Sequence, residues 1–244
     1  MHEGIADSRM WQGQWEPFSL SRRVVRYDMR GFGRTPLPPE PYSHAEDLID
    51  LITGLGMGPA TLIGASLGGR VALEIAAVRP DLVSGLVLVG AVIPGTKLSG
   101  EIERFAAAED AALEDGDIDA AVEINLRTWV DGMRASDAVD PRVRELVGEM
   151  QRRAFELQLA AGVEAVEELV EPDVGVRLAE IVQPVLVIVG EDDNMDIHGI
   201  AERFLKELPN ARFESIPRAA HVVPLERPDE FNSLVLEFLQ EKGL

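Results

Sequence analysis

Ala60-Thr61-Leu62-Ile63-Gly64-Ala65-Ser66-Leu67-Gly68-Gly69 joins a short apolar run to a serine set among glycines. The run Ala60–Gly64 has the length and composition of a buried strand. From Leu67 to Arg79 the apolar spacing turns helical and stops at Pro80, so a helix is expected there. The junction therefore reads G-x-S-x-G between a strand and a helix. Its physical reason is steric: a residue on so tight a turn adopts strained dihedrals, and neighbours without bulky side chains are needed on both sides. The turn would lift the Ser66 hydroxyl above the sheet edge. The Leu67 N–H would then sit at a helix N-terminus, where unpaired donors and the helix dipole favour a developing oxyanion. A small-residue turn with a serine cap uses the same letters, but the strand–helix setting favours a nucleophile.

Outward from this junction, short β-branched runs alternate with longer helical segments. Strands are expected at Arg23–Asp28, Leu86–Val89, Val185–Val189 and Arg212–Ile216. Helices are expected after the Ser43/Glu46 capping pattern to about Leu55, from about His198 to Leu208, and from about Pro228 to Gln240. From Lys97 to Val174 the β-branched runs give way to Ala, Glu, Leu and Arg at helical spacing, broken at Asp115-Gly116-Asp117 and Asp140-Pro141. The expected architecture is α/β: a mostly parallel sheet flanked by helices, built from residues 1–96 and 175–244, with a helical cap inserted at 97–174.

The chain has 244 residues, long enough for one full core. It carries 43 acidic against 23 basic residues, a formal net charge of -20. Such a field repels phosphate backbones and anionic lipid, so neither nucleic acid nor a membrane is an expected partner. Cysteine is absent, which excludes disulfides and thiolate chemistry. Met1–Met10 carry no basic segment followed by an apolar run. The longest apolar stretches fall short of the ~20 residues that span a bilayer, so a cytoplasmic protein is expected. The histidines lack H-x-x-x-H spacing. Gly31-Phe32-Gly33 is followed by Arg-Thr-Pro rather than a helix opening on a third glycine. No metal or cofactor is expected.

A serine hydroxyl needs a base. Of His2, His44, His198 and His221, His44 follows a helix cap and reads as a surface residue, while His198 opens a helix. His221 lies in a loop after the last strand, from which it can reach Ser66, and the order serine, acid, histidine supports it. The acid should follow the strand Val185–Val189, where Glu191, Asp192, Asp193 and Asp196 all qualify; residue chemistry alone leaves the four open.

Four stretches together resemble an α/β-hydrolase-fold serine hydrolase with a helical cap, of the esterase, enol-lactonase and haloperoxidase-like group. They are Tyr27–Thr35, Gly64–Gly69, Gly190-Glu191-Asp192-Asp193, and His221 with Glu226-Arg227-Pro228. The resemblance runs in order over nearly the whole chain. It implies Asp193 as the triad acid, with Asp196 in reserve, and a cap that sets substrate choice. It also implies that His2-Glu3-Gly4 is the turn supplying a second oxyanion donor, the Gly4 N–H, with Glu3 in place of a glycine. Strands that precede this turn in the family are lacking here. One of them normally lies between Arg23–Asp28 and the strand leading to Ser66. The expectation is either an N-terminally short chain or a rearranged sheet that closes the gap.

The expected function is hydrolysis of an ester, lactone or related small acyl molecule through Ser66, His221 and Asp193, with Leu67 and Gly4 as oxyanion donors. The alternatives are a non-catalytic ligand-binding protein of the same fold and an inactive, N-terminally truncated fragment.

Overall fold

A computed structural model of the protein describes residues 1–161 and 165–244. Four parallel strands, β1 (Ala60–Ala65), β2 (Val83–Val89), β3 (Val185–Gly190) and β4 (Ala211–Ile216), lie side by side in chain order. One row of the ladder runs Ile63, Val87, Leu186, Arg212. The β-branched runs form strands because both faces of β2 and β3 are covered, and near-continuous apolar sequence is what such strands require. The pleat then sorts them: Leu86, Leu88, Val185, Val187 and Val189 enter one core layer, and Val87, Val89, Leu186 and Ile188 enter the other.

Helices cover both faces. In chain order they are α1 (Gln12–Ser19), α2 (His44–Gly54), α3 (Leu67–Val78), α4 (Gly100–Glu114), α5 (Ile118–Asn125), α6 (Pro141–Ala161), α7 (Met195–Glu207), α8 (Val223–Glu226) and α9 (Pro228–Lys242). Leu48, Leu73, Ile75 and Phe204, from α2, α3 and α7, fill the first layer. Phe18, Phe231 and Phe238, from α1 and α9, fill the second. Ser43 accepts from the Glu46 N–H at the start of α2, as its capping pattern predicts. Helix α7 begins at Met195 rather than near His198, because the Asn194 side chain caps the Asp196 N–H at 2.9 Å.

Between β2 and β3 the described chain carries α4, α5 and α6. Gly116, with φ +75°, turns α4 into α5, and Asp117 caps α5 through the Ala120 N–H. A π-helical turn at Leu126–Asp131 follows α5. Beyond α6, Glu167 pairs with Arg70 of α3 at 2.6 Å, and Arg70 also pairs with buried Glu74 at 2.7 Å. No helix among the described residues is long and apolar enough to cross a membrane.

The strand expected at Arg23–Asp28 does not form. That segment is not part of the sheet, and its backbone makes no hydrogen bond to a strand. Between it and the edge of β1 lies a groove of about 460 Å³, so the sheet has not rearranged to close the gap. An extended run needs a partner within hydrogen-bonding distance to become a strand, and its own sequence cannot supply one.

Candidate active site

Ser66 stands between β1 and α3 with φ 47° and ψ -109°, a left-handed conformation costing on the order of 1–3 kcal/mol for a residue with a side chain. Its backbone is held on both sides. The Ser66 N–H donates to the Val89 carbonyl at 2.8 Å, and its own carbonyl accepts from Gly69 at 3.0 Å and Arg70 at 3.1 Å. The turn is too tight for a side chain at Gly64, where a Cβ would lie 2.2 Å from the Gly68 oxygen. The Ser66 hydroxyl donates to no protein group among the described residues.

His221 and Asp193 form a buried pair, Nδ1 to Oδ2 at 2.9 Å, with side chains 3% and 1% exposed. Asp193 also accepts the Asn194 N–H at 2.8 Å. The other three acids lie elsewhere. Asp196 accepts from the Ser99 N–H and hydroxyl, the latter at 2.7 Å. Asp192 faces Arg134 at 3.7 Å, and Glu191 is exposed. Burial opposes the His221 imidazolium, but the charge and hydrogen bond of Asp193, with help from Glu3, outweigh it and raise the group to about 9.

Ser66 and His221 meet the same strand end. Ser66 bonds the Val89 carbonyl, and the next residue, Gly90, faces the imidazole: a Cβ there would lie 2.9 Å from His221 Nδ1. No direct Ser66–His221 hydrogen bond is formed. Trp129, in the π-helical turn, packs on the imidazole with ring centroids 4.8 Å apart, and its carbonyl accepts the His221 N–H at 3.1 Å. The π-helical turn is thus fastened to the loop that carries His221.

The turn His2-Glu3-Gly4 lies over the start of α3: a Cβ on Gly68 would be 2.6 Å from the His2 carbonyl, and one on Gly4 would be 4.0 Å from the Leu67 Cβ. This brings the Gly4 and Leu67 N–H groups to one end of the sheet, and neither donates to a protein acceptor among the described residues. His2 braces the turn. It is wholly buried, its Nε2 accepts the Met29 N–H at 2.9 Å, and its Nδ1 donates to the Glu3 carbonyl at 2.8 Å. Burial lowers it to about 4, so the ring is neutral.

Two acids near the site have roles that the sequence does not reveal. Glu226 accepts the Ala220 N–H at 2.7 Å and pairs with Arg134 at 2.6 Å, fixing the loop before His221. Glu3 is 1% exposed and neither of its oxygens has a hydrogen-bond partner among the described residues. Burial raises it to about 7; His221 pulls it down, while Asp193 and Glu226 push it further up. His44, expected at the surface, is 2% exposed and packs edge-on against Tyr42. The position after a helix cap does not decide exposure when the first turn faces the core.

Residues 4–234 match the model of the alpha/beta hydrolase family. The chain belongs to the alpha/beta hydrolase family. It is 32% identical, over 89% of its length and 81% of the relative's, to a Bacillus subtilis (strain 168) protein provisionally named 2-succinyl-6-hydroxy-2,4-cyclohexadiene-1-carboxylate synthase. It is 30% identical, over 95% of its length and 88% of the relative's, to an Agrobacterium fabrum protein provisionally named carbamate hydrolase RutD. Among solved structures, a thermophilic esterase from Thermogutta terrifontis superposes with a TM-score of 0.82 at 26% identity, over 99% of this chain and 88% of that one. These likenesses support a hydrolase function for this alpha/beta hydrolase.

Proposed function

We propose that this alpha/beta hydrolase is a serine hydrolase of small acyl compounds, esters and lactones first. The observation that carries the reading is the unpartnered Ser66 hydroxyl on a strained turn, beside a buried His221–Asp193 pair. Ser66 Oγ attacks the substrate carbonyl. His221, held by Asp193 through Nδ1, accepts the proton on Nε2 and returns it to the leaving group. The Leu67 and Gly4 N–H groups hold the oxyanion. Water, deprotonated by His221, then releases the acid and restores Ser66.

The base must be neutral to act. With His221 raised to about 9, turnover increases with pH through the alkaline range. Residues 97–174 act as the cap, and Trp129 with its edge-on neighbour Phe105, 5.4 Å between centroids, presents an aromatic wall beside the base. The esterase neighbour supports ester substrates. A second neighbour, Est816, described as an N-acyl homoserine lactone degrading enzyme, matches at 26% identity and a TM-score of 0.76 and supports lactones. The relatives named for carbamate hydrolysis favour carbamates as a third acyl class, attacked in the same way.

The test is steady-state hydrolysis of p-nitrophenyl acetate and butyrate, an acyl lactone and a simple carbamate by wild type and Ser66→Ala. At least one class should be turned over, with a loss of about 10³-fold or more in the variant. Turnover that survives in Ser66→Ala refutes the mechanism. Ligand-induced stabilisation with no turnover of any class would make the protein a binder.

A further inference from the structure

Trp129-Val130-Asp131-Gly132-Met133-Arg134 is bonded both to the loop that carries Asp193 and to the loop that carries His221. On the base side, the Trp129 carbonyl accepts the His221 N–H at 3.1 Å. On the acid side, the Met133 N–H donates to the Asp192 carbonyl at 3.1 Å. Gly132, with φ +62°, lies against both loops. A Cβ there would collide with the Asp192 carbonyl and stand 2.8 Å from the Ala220 Cβ, so the contact admits no side chain.

Arg134 closes this segment, its side chain 14% exposed. Nη2 donates to the Val130 carbonyl at 2.7 Å and Nε to the Asp131 carbonyl at 3.1 Å, which fixes the guanidinium on its own turn. The same plane then reaches outward. Nη1 donates to the Arg218 carbonyl at 3.2 Å, Nη2 pairs with Glu226 at 2.6 Å, and Nε faces the Asp192 carboxylate at 3.7 Å. Glu226 in turn accepts the Ala220 N–H, one residue before His221, at 2.7 Å. An isolated surface ion pair joins two side chains and little else; this cation ties two loops.

Both loops need holding. Arg218 has φ 57°, a strained conformation for a residue with a side chain, which persists where its surroundings enforce it. Besides the His221–Asp193 bond itself, the two loops meet directly at one backbone bond among the described residues, from the Asp192 N–H to the Ala219 carbonyl at 2.9 Å. The remaining ties run through residues 129–134. Arg134 makes no contact with Asp193 or His221, so it acts on them through the loops.

We propose that Arg134 is a positioning residue: it locks the acid loop and the base loop onto residues 129–134 and so keeps His221 aligned on Asp193 for proton transfer. Its effect on turnover rests on the serine-hydrolase reading; its effect on the imidazole does not.

The test holds net charge constant, so that geometry alone is read. Arg134→Lys keeps the cation but lacks the planar fork that spans two loops. Arg134→Met combined with Glu226→Gln removes one charge of each sign and leaves no buried acid unpaired. Asp193 and Glu3 are the charged groups that raise His221, and both variants retain them. Followed by NMR, the His221 midpoint should fall from about 9 towards 6.5, by about one pH unit or more in the double variant and by less in Arg134→Lys. On any acyl class that wild type hydrolyses, kcat of the double variant should fall by about 10²-fold, with KM within about twofold. A midpoint that stays at about 9 in the double variant, or in Arg134→Lys should the double variant not fold, would overturn the proposal. So would an unchanged kcat beside an active wild type. The titration needs no substrate, so a wild type without turnover would refute the hydrolase reading and leave this readout intact.

Discussion

Glu3→Gln separates a buried acid from an ordinary one by its pH dependence. Glu3 is 1% exposed with neither oxygen partnered among the described residues, and burial raises it from 4.5 to about 7. The folded state therefore holds the proton more tightly than the unfolded state. Below pH 4.5 both states are protonated and no penalty exists. As pH rises from 4.5 to 7 the unfolded state ionises first, and stability falls; above 7 the full penalty is present. At about 1.4 kcal/mol per pH unit, that penalty is about 3 kcal/mol. Glutamine fills the same space and never ionises. Its own buried amide shifts stability by the same amount at every pH. The stability of Glu3→Gln relative to wild type should thus increase by about 3 kcal/mol between pH 4 and pH 8, equivalent to roughly 6–12 °C in Tm for a chain of this size. Denaturant melts of both proteins at half-unit pH steps measure it. A difference that stays flat with pH would mean that Glu3 titrates alike in the folded and unfolded states. The same substitution removes the anion that helps raise His221, so the alkaline rise in turnover should move to lower pH.

Three further outcomes are expected. Asp193→Asn removes the main group that raises His221, so the imidazole titration followed by NMR should fall well below about 9, and kcat should drop by about 10³–10⁴-fold. Gly90→Ala places a Cβ 2.9 Å from the imidazole at a φ of +51°; turnover of whichever acyl class is hydrolysed should fall at least tenfold, with melts reporting a loss of about 1–3 kcal/mol. Arg70→Ala leaves Glu74 buried and unpaired and frees Glu167; urea melts should show a loss of about 3–5 kcal/mol.

The sheet and the tight turn at Ser66 are legible in the sequence because their signals are local. β2 and β3 are apolar on both faces, and Gly64 and Gly68 flank a serine whose turn admits no side chain at Gly64. Asp193 is not legible from chemistry alone. It stands among four acids, and only the fold turns Asp193 to His221 while Asp196 turns to Ser99. Arg23–Asp28 has the composition of a strand, but pairing is a property of two segments, and here the neighbouring place is a groove. His44, expected at the surface, lies buried, and Glu3 is likewise an unexpected buried group in the core. Polar residues are usually exposed, and the burial of His44 is set by elements distant in the chain.

Covalent labelling reads the proposed role of Ser66 as nucleophile without any need for a substrate. A fluorophosphonate probe reacts with an activated serine and leaves a stable adduct that intact mass and peptide mapping can locate. A single adduct is expected on the peptide containing Ser66, formed faster as pH rises towards 9 and absent from Ser66→Ala. A wild-type protein that takes up no probe, or an adduct that persists in Ser66→Ala, would contradict it.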